Sequence, residues 1–154
     1  MKLTSLRLVV ASLLLAAGTS FAADLSPKAP DKLTPARTLI EQKKWTAAVD
    51  ELKKINDPAS ADWNNLMGYS LRKADAGNAA EAEKFYSEAL RIDPKHRGAL
   101  EYSGELYLMT GNLPMAEERL AVLNKACFLP CEEYSDLKRA VARYKANGNK
   151  YVAE

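Results

Sequence analysis

The chain has 154 residues and a formal net charge of +2, and its first 22 residues contain two basic side chains, Lys2 and Arg7, and no acidic one. The remaining sequence therefore holds 20 basic and 20 acidic side chains, a balance that gives no electrostatic footprint for nucleic acid or for anionic lipid. Because it is rich in Ala, Leu, Glu and Lys and lacks alternating apolar and polar runs, the sequence predicts an all-α protein.

Residues 1–22 have the pattern of a cleaved signal peptide. A positively charged start is followed by an apolar run from Leu8 to Ala17, and Ser20-Phe21-Ala22 places small residues where a signal peptidase reads the chain. The run is shorter than the roughly 20 apolar residues that a membrane span requires. We therefore expect cleavage before Ala23, a periplasmic or secreted location, and no membrane span after removal of the signal.

Residues 34–146 are predicted to form one helical repeat domain, with a flexible leader over residues 23–33 before it and a tail over residues 147–154 after it. At the start of the domain, Thr34 is a candidate helix N-cap and Pro35 suits the first helical turn.

A period of 34 residues runs through this predicted domain. Ala48, Ala82 and Ala116 are 34 residues apart. The large apolar residues four positions after them are Leu52, Tyr86 and Leu120. A small and a large apolar residue at this spacing mark one face of a helix, and this period is typical of stacked helix–turn–helix units. The sequence thus predicts a short α-solenoid of about three helix pairs.

Gly68 and Gly104 lie inside the first helices of the second and third pairs, which are expected over about 61–74 and 96–110. A glycine inside a helix costs about 1 kcal/mol relative to alanine, so we expect a neighbouring helix to approach closely at both positions. The turn of the second pair is longer than that of the third, which predicts a small loop extension near Ala76.

The last predicted helix, from about Cys131 to Ala146, is expected to cap the stack. Its apolar stripe consists of Tyr134, Leu137, Val141 and Tyr144. Its charged side carries Glu132, Asp136, Lys138, Arg139 and Arg143. Because a repeat stack exposes its last apolar face, a terminal helix with a polar outer side is needed to cover it.

The second and third helix pairs resemble the tetratricopeptide repeat. In the second pair the resemblance rests on Trp63, Leu66, Gly68, Ala82, Tyr86, Ala89 and Pro94. In the third it rests on Leu100, Gly104, Tyr107, Gly111, Ala116, Leu120 and Leu123. The first pair matches only in its second helix, through Ala48, Leu52 and Ile55. The chain is also similar to small exported bacterial proteins that contain this repeat.

The resemblance implies a groove on the concave side of the repeats. By the family's geometry, eight residues of this chain would line it: Asp62, Asn65, Tyr69, Arg72, Lys73, Glu101, Glu105 and Met109. A mixed polar groove of this kind suits an extended peptide or a helix of a partner. The resemblance thus implies a non-catalytic interaction or scaffold module of the bacterial cell envelope, whose partner is another protein.

Cys127 and Cys131 lie at the join between the last repeat and the capping helix. In an exported protein, two cysteines this close are expected to form a disulfide, since Pro130 breaks the helix between them. Two alternatives stay open, because C-x-x-x-C can bind Cu(I) and a cysteine at a helix N-terminus can exchange disulfides. The alternative function is therefore that of a periplasmic thiol-redox or copper-handling protein.

No other residue suggests chemistry. We interpret His96, the single histidine, as a polar residue in the first turn of a helix. The sequence contains neither a glycine-rich phosphate loop nor a nucleophile-elbow pattern. We therefore expect no catalytic residue, no cofactor and no metal site, and we expect that the protein is not an enzyme.

Overall fold

The computed structural model of the protein describes residues 31–152, and in that range it contains seven α-helices and no strand. The helices are α1 (Thr34–Glu41), α2 (Trp45–Ile55), α3 (Ala61–Ala74), α4 (Ala79–Ile92), α5 (Arg97–Met109), α6 (Leu113–Ala126) and α7 (Glu132–Ala146). The predicted signal peptide, residues 23–30 of the predicted leader and the last two residues of the tail lie outside the described residues.

Consecutive helices pack as pairs. α1 packs on α2, α3 on α4 and α5 on α6, and α7 then packs on both helices of the last pair. Contacts between α2 and α3 and between α4 and α5 join one pair to the next. The predicted all-α solenoid of about three helix pairs and a final helix is confirmed.

The 34-residue period corresponds to the points where the helices of a pair meet. Ala48, Ala82 and Ala116 are each 0% exposed, and Leu52 and Tyr86 are buried with them. A buried alanine adds only a methyl group to its helix, so a neighbouring helix can lie close and the larger residues can fill the space beside it. The alanines therefore determine the distance between the helices of each pair.

The two glycines inside helices lie where another element comes closest. A Cβ atom at Gly68 would lie 2.9 Å from Cε1 of Tyr86 and 3.0 Å from the carbonyl oxygen of Ala82, both on α4. A Cβ atom at Gly104 would lie 2.6 Å from Cδ2 of Leu137 on α7. The expected close approach is present at both positions. The neighbour of Gly68 is the second helix of its own pair, whereas the neighbour of Gly104 is the final helix, α7.

Two details of the helix ends differ from what the sequence suggests. Thr34 is the first residue of α1 and Leu33 occupies the cap position, so Thr34 is not the N-cap. The Leu33 side chain is buried in the core. Its packing places the start of α1 one residue earlier than a cap at Thr34 would. The longer turn of the second pair forms a short 3₁₀ helix over Ala76–Asn78, where a loop extension was expected.

The core has two parts, and α5 contributes to both. The first lies among α1, α2, α3 and α4 and includes Ala99 and Leu106 of α5. The second lies among α5, α6 and α7 and includes Leu100, Tyr107 and Leu108 of α5. α5 is therefore the element that holds the last pair and α7 against the first two pairs.

Candidate functional site

A cavity of about 250 Å³ opens between α3, α5 and α7, and we call it the α3–α5–α7 cavity. Its lining residues are Tyr69, Arg72 and Lys73 from α3, Glu101, Tyr102 and Glu105 from α5, Asp136, Arg139, Ala140, Arg143 and Tyr144 from α7, and Tyr151 and Val152 from the chain after α7. The walls are thus charged and aromatic, with very little aliphatic surface.

Aromatic rings form the α3 side of the cavity. Residues 69, 72 and 73 share one face of α3 because they are three and four positions apart. The centroid of the Tyr69 ring lies 4.4 Å from that of the Tyr102 ring. It lies 5.7 Å from the centroid of the Trp45 ring of α2, in an edge-to-face arrangement. The ammonium of Lys73 lies 5.9 Å from the centres of both the Trp45 and Tyr69 rings. Packing of this kind holds each ring in one orientation before any ligand arrives.

An ion pair between α3 and α5 lies at the base of the cavity. Nη2 of Arg72 donates to Oε2 of Glu105 at 2.7 Å, and their side chains are 3% and 20% exposed. Nη1 of Arg72 also contacts the Met109 sulfur at 3.5 Å. Burial alone would lower the pKa of Arg72, but the neighbouring Tyr86 and Glu105 raise it above its ordinary value. The guanidinium therefore stays charged, and it joins two helix pairs through one directional contact.

Glu101 is a buried carboxyl group in this region. Burial raises its pKa to about 8, and the nearby Glu105, Asp136 and Glu133 carboxylates act in the same direction, while Arg72 opposes them. At neutral pH most Glu101 side chains therefore carry a proton and can donate a hydrogen bond. Burial likewise raises the pKa of Tyr69 and Tyr102, so both phenols stay neutral.

The charged side of α7 forms the third wall. Asp136 pairs with Arg139 one turn later, and both line the cavity together with Arg143. Asp136, Arg139 and Arg143, which we expected on the polar outer side of the capping helix, also line the cavity. α7 covers α5 and α6 with its apolar stripe, and it turns this part of its charged side towards α3.

The structure brings together five of the eight residues that the resemblance places in a groove: Tyr69, Arg72, Lys73, Glu101 and Glu105 line the cavity. Met109 lies beside Arg72 but not on the cavity wall. Asn65 is buried, and a Cβ atom on Gly98 would lie 3.0 Å from its Nδ2. The Asp62 carboxylate is at the start of α3, where it contacts Arg37 at 3.0 Å and the His96 ring at 2.8 Å.

His96 is the N-cap of α5, one position before the first turn in which we expected it. Its Nδ1 accepts a hydrogen bond from the backbone N–H of Ala99 at 3.1 Å. The contact between its Nε2 and Asp62 links the starts of α3 and α5. Its position gives it a structural role at the start of the helix.

Tyr102 and all the lining residues from α7 and from the chain after it were not predicted from the sequence as part of the site. A signal was present in α7, since Asp136, Arg139 and Arg143 are three and four positions apart and so share one helix face. The direction of that face depends on how α7 docks on α5. No spacing in the sequence specifies this direction.

Cys127 and Cys131 form a disulfide that connects the end of α6 to the start of α7. Phe128 and Leu129 between them are exposed. An oxidised pair has no thiolate to offer to Cu(I). Over residues 31–152, no cluster of three or more His, Cys, Asp or Glu side chains is arranged to hold a metal ion. In the same range, no helix has the length and apolar character needed to cross a membrane.

The family model of the tetratricopeptide repeat matches residues 73–141. This part of the chain is similar to the tetratricopeptide repeat. The match extends from the end of α3 to the middle of α7, so it includes the α5 and α7 walls of the cavity. The predicted resemblance to this repeat is confirmed.

Solved structures with the same arrangement of helices include SycD, a type III secretion translocator chaperone of Yersinia enterocolitica. The similarity to SycD has a TM-score of 0.65 and 17% identity over 76% of this chain and 83% of that one. SycD in complex with a peptide of the translocator YopD gives a TM-score of 0.60 and 18% identity over 75% and 88% of the two chains. At these identities the similarity establishes a shared fold. No curated protein matches this chain.

Proposed function

We propose that this protein is a non-catalytic binding module that holds an extended segment of a partner protein in the α3–α5–α7 cavity. The observation that carries the proposal is the cavity itself, where aromatic rings and charged groups from three helices converge. The tetratricopeptide fold of residues 73–141 supports a protein partner, as does the peptide bound by the structurally similar SycD.

The cavity wall suits a peptide because its groups are held in place by the protein. Tyr69 is fixed between the Trp45 and Tyr102 rings, and Arg72 is fixed by Glu105. Groups that are already ordered lose little entropy when a ligand binds. The three helix pairs of residues 31–152 offer a small contact area, so we expect a weak or transient complex.

We place this activity in the bacterial cell envelope, because residues 1–22 have the pattern of a signal peptide. A disulfide between Cys127 and Cys131 is consistent with an oxidising compartment. We assign this bond a structural role, since it connects the last repeat to the helix that forms the third cavity wall.

A charge reversal at the cavity tests the proposal. Lys73 is exposed on the cavity wall, whereas Lys84 is exposed on α4 and does not line it. We expect Lys73→Glu to reduce capture of the partner from an envelope extract at least fivefold, because one charge is reversed within the contact area. Lys84→Glu is the matched control and should capture as much as the wild type. Equal capture by all three proteins, each shown to be folded by circular dichroism, would refute binding in this cavity.

A further inference from the structure

Two of the cavity's lining residues, Tyr151 and Val152, come from the tail after α7. α7 ends at Ala146, so Tyr151 is only five residues beyond the helix. If the chain continued along the axis of α7, Tyr151 and Val152 would lie far from α3. The chain therefore reverses direction after α7 to reach the cavity. The turn that reverses it is therefore a specific feature of this chain.

The reversal is built by two residues in the left-handed conformation. Gly148 has a φ of +66° and Asn149 a φ of +59°. The N–H of Gly148 donates to the Lys145 carbonyl at 3.2 Å, and the N–H of Asn149 donates to the Tyr144 carbonyl at 2.9 Å. This pair of bonds is the Schellman motif, which ends a helix and turns the chain back. Nδ2 of Asn147 donates to the Lys150 carbonyl at 3.2 Å and holds the returning segment of the chain.

The returning tail lies against the charged base of the cavity. Tyr151 and Val152 are 36% and 59% exposed, so each lines the cavity with part of its surface and faces solvent with the rest. The Tyr151 phenol is close enough to Arg72 to act on the pKa of that guanidinium, after burial and the stronger effects of Tyr86 and Glu105. Tyr151 thus lies near the ion pair between Arg72 of α3 and Glu105 of α5.

We propose that Tyr151 and Val152 of the tail are an internal ligand of the α3–α5–α7 cavity that the partner must displace. The proposal rests on the proposed function and specifies its ligand: an extended segment that places an aromatic residue, followed by an aliphatic one, where Tyr151 and Val152 now lie. A tether of a few residues gives the tail an effective concentration in the millimolar range. The tail therefore lowers the apparent affinity of a weakly bound partner.

The position of the tail can be tested without a partner. In ¹H–¹⁵N spectra of the full mature chain, we expect Tyr151→Ala to shift the backbone amides of Arg72, Tyr102 and Glu105. Gly148→Val should shift the same amides, because a β-branched residue is strained at positive φ and the turn then releases an intact tail. The control Lys150→Ala changes a tail residue that does not line the cavity, and its shifts should stay within residues 147–154. If Tyr151→Ala shifts only residues 147–154, the proposal is wrong.

Competition is tested with a synthetic hexapeptide of the sequence of residues 149–154, Asn-Lys-Tyr-Val-Ala-Glu. We expect it to shift the Arg72, Tyr102 and Glu105 amides of the Tyr151→Ala variant at millimolar concentration, and to bind the wild type at least fivefold more weakly. Equal affinity for the two proteins, or no binding to the variant, would overturn the proposal.

These results separate the two proposals. Shifts of the cavity amides together with unchanged partner capture by Lys73→Glu would refute the proposed function and leave the tail in the cavity. Reduced capture by Lys73→Glu without those shifts would refute only the internal ligand.

Discussion

At the scale of single residues, Glu101 and Glu105 on the α5 wall of the cavity have different surroundings. Glu105 accepts from Arg72 at 2.7 Å, so it faces a fixed positive charge. Glu101 lies one helical turn earlier, and burial raises its pKa from 4.5 to about 8. Burial therefore favours the protonated form of Glu101, whereas Glu105 lies in an ion pair with Arg72. Protonation of Glu101 limits repulsion among the carboxylates around the cavity.

The raised pKa of Glu101 predicts a specific dependence of stability on pH. Between pH 4.5 and 8 the unfolded chain loses the Glu101 proton while the folded chain keeps it, so this group lowers stability as pH rises through that window. Glu101→Gln removes the effect. We expect the variant to be more stable than the wild type by about 1–3 kcal/mol at pH 8, with a smaller difference at pH 5.

Urea unfolding at several pH values measures this difference. The control is Glu81→Gln on the exposed surface of α4, whose difference from the wild type should not change with pH. A difference between Glu101→Gln and the wild type that is constant from pH 5 to pH 8 would contradict a raised pKa in the folded state.

At the scale of helices, α7 closes the last pair and also completes the cavity. Its Leu137 packs against the backbone of Gly104 on α5, and its start is joined to α6 by the disulfide. Near its end, Lys145 pairs with Glu117 of α6. These contacts hold α7 at both ends and in the middle, so the direction of its charged side is fixed relative to α3.

A substitution at Gly104 tests how tightly α7 docks. An added methyl group would lie 2.6 Å from Cδ2 of Leu137, so we expect Gly104→Ala to displace that side chain and to lower the free energy of unfolding by about 1–3 kcal/mol. Gly77→Ala is the matched control, because its Cβ atom would meet only the exposed Asp75 carboxylate, at 3.4 Å. Chemical denaturation compares the two variants. Equal stabilities would show that α7 moves freely enough to absorb the methyl group.

The helices and their pairing could be predicted from the sequence, whereas the full cavity could not. Ala48, Ala82 and Ala116 predict the repeat because a helix pair needs a small residue where two backbones meet. The α3 wall and, apart from Tyr102, the α5 wall follow from the family's geometry. Asp136 and Tyr151 were missed because their places depend on the docking angle of α7 and on a turn after it, and both are determined by contacts between distant residues.

At the scale of the whole molecule, the protein is a stack in which each element contacts mainly its neighbours. The first core part extends from Leu33 through α4 to Leu106 of α5, and the second comprises α5, α6 and α7. At one end of the stack, α1 packs on α2 and contacts α3 only slightly. In such a linear stack the end elements open more easily than the middle ones.

Hydrogen exchange of the protein tests this organisation. We expect the amides of α1 to exchange with a lower opening free energy than those of α3 to α6. Leu33→Ala removes a side chain that anchors the start of α1, and it should speed exchange in α1 while leaving α5 and α6 unchanged. Leu106→Ala removes a buried side chain where α5 meets the first core part, and it should cost about 2–5 kcal/mol and speed exchange throughout α3 to α6. If both variants speed exchange equally in every helix, the stack opens as a single unit and this description of its two core parts is wrong.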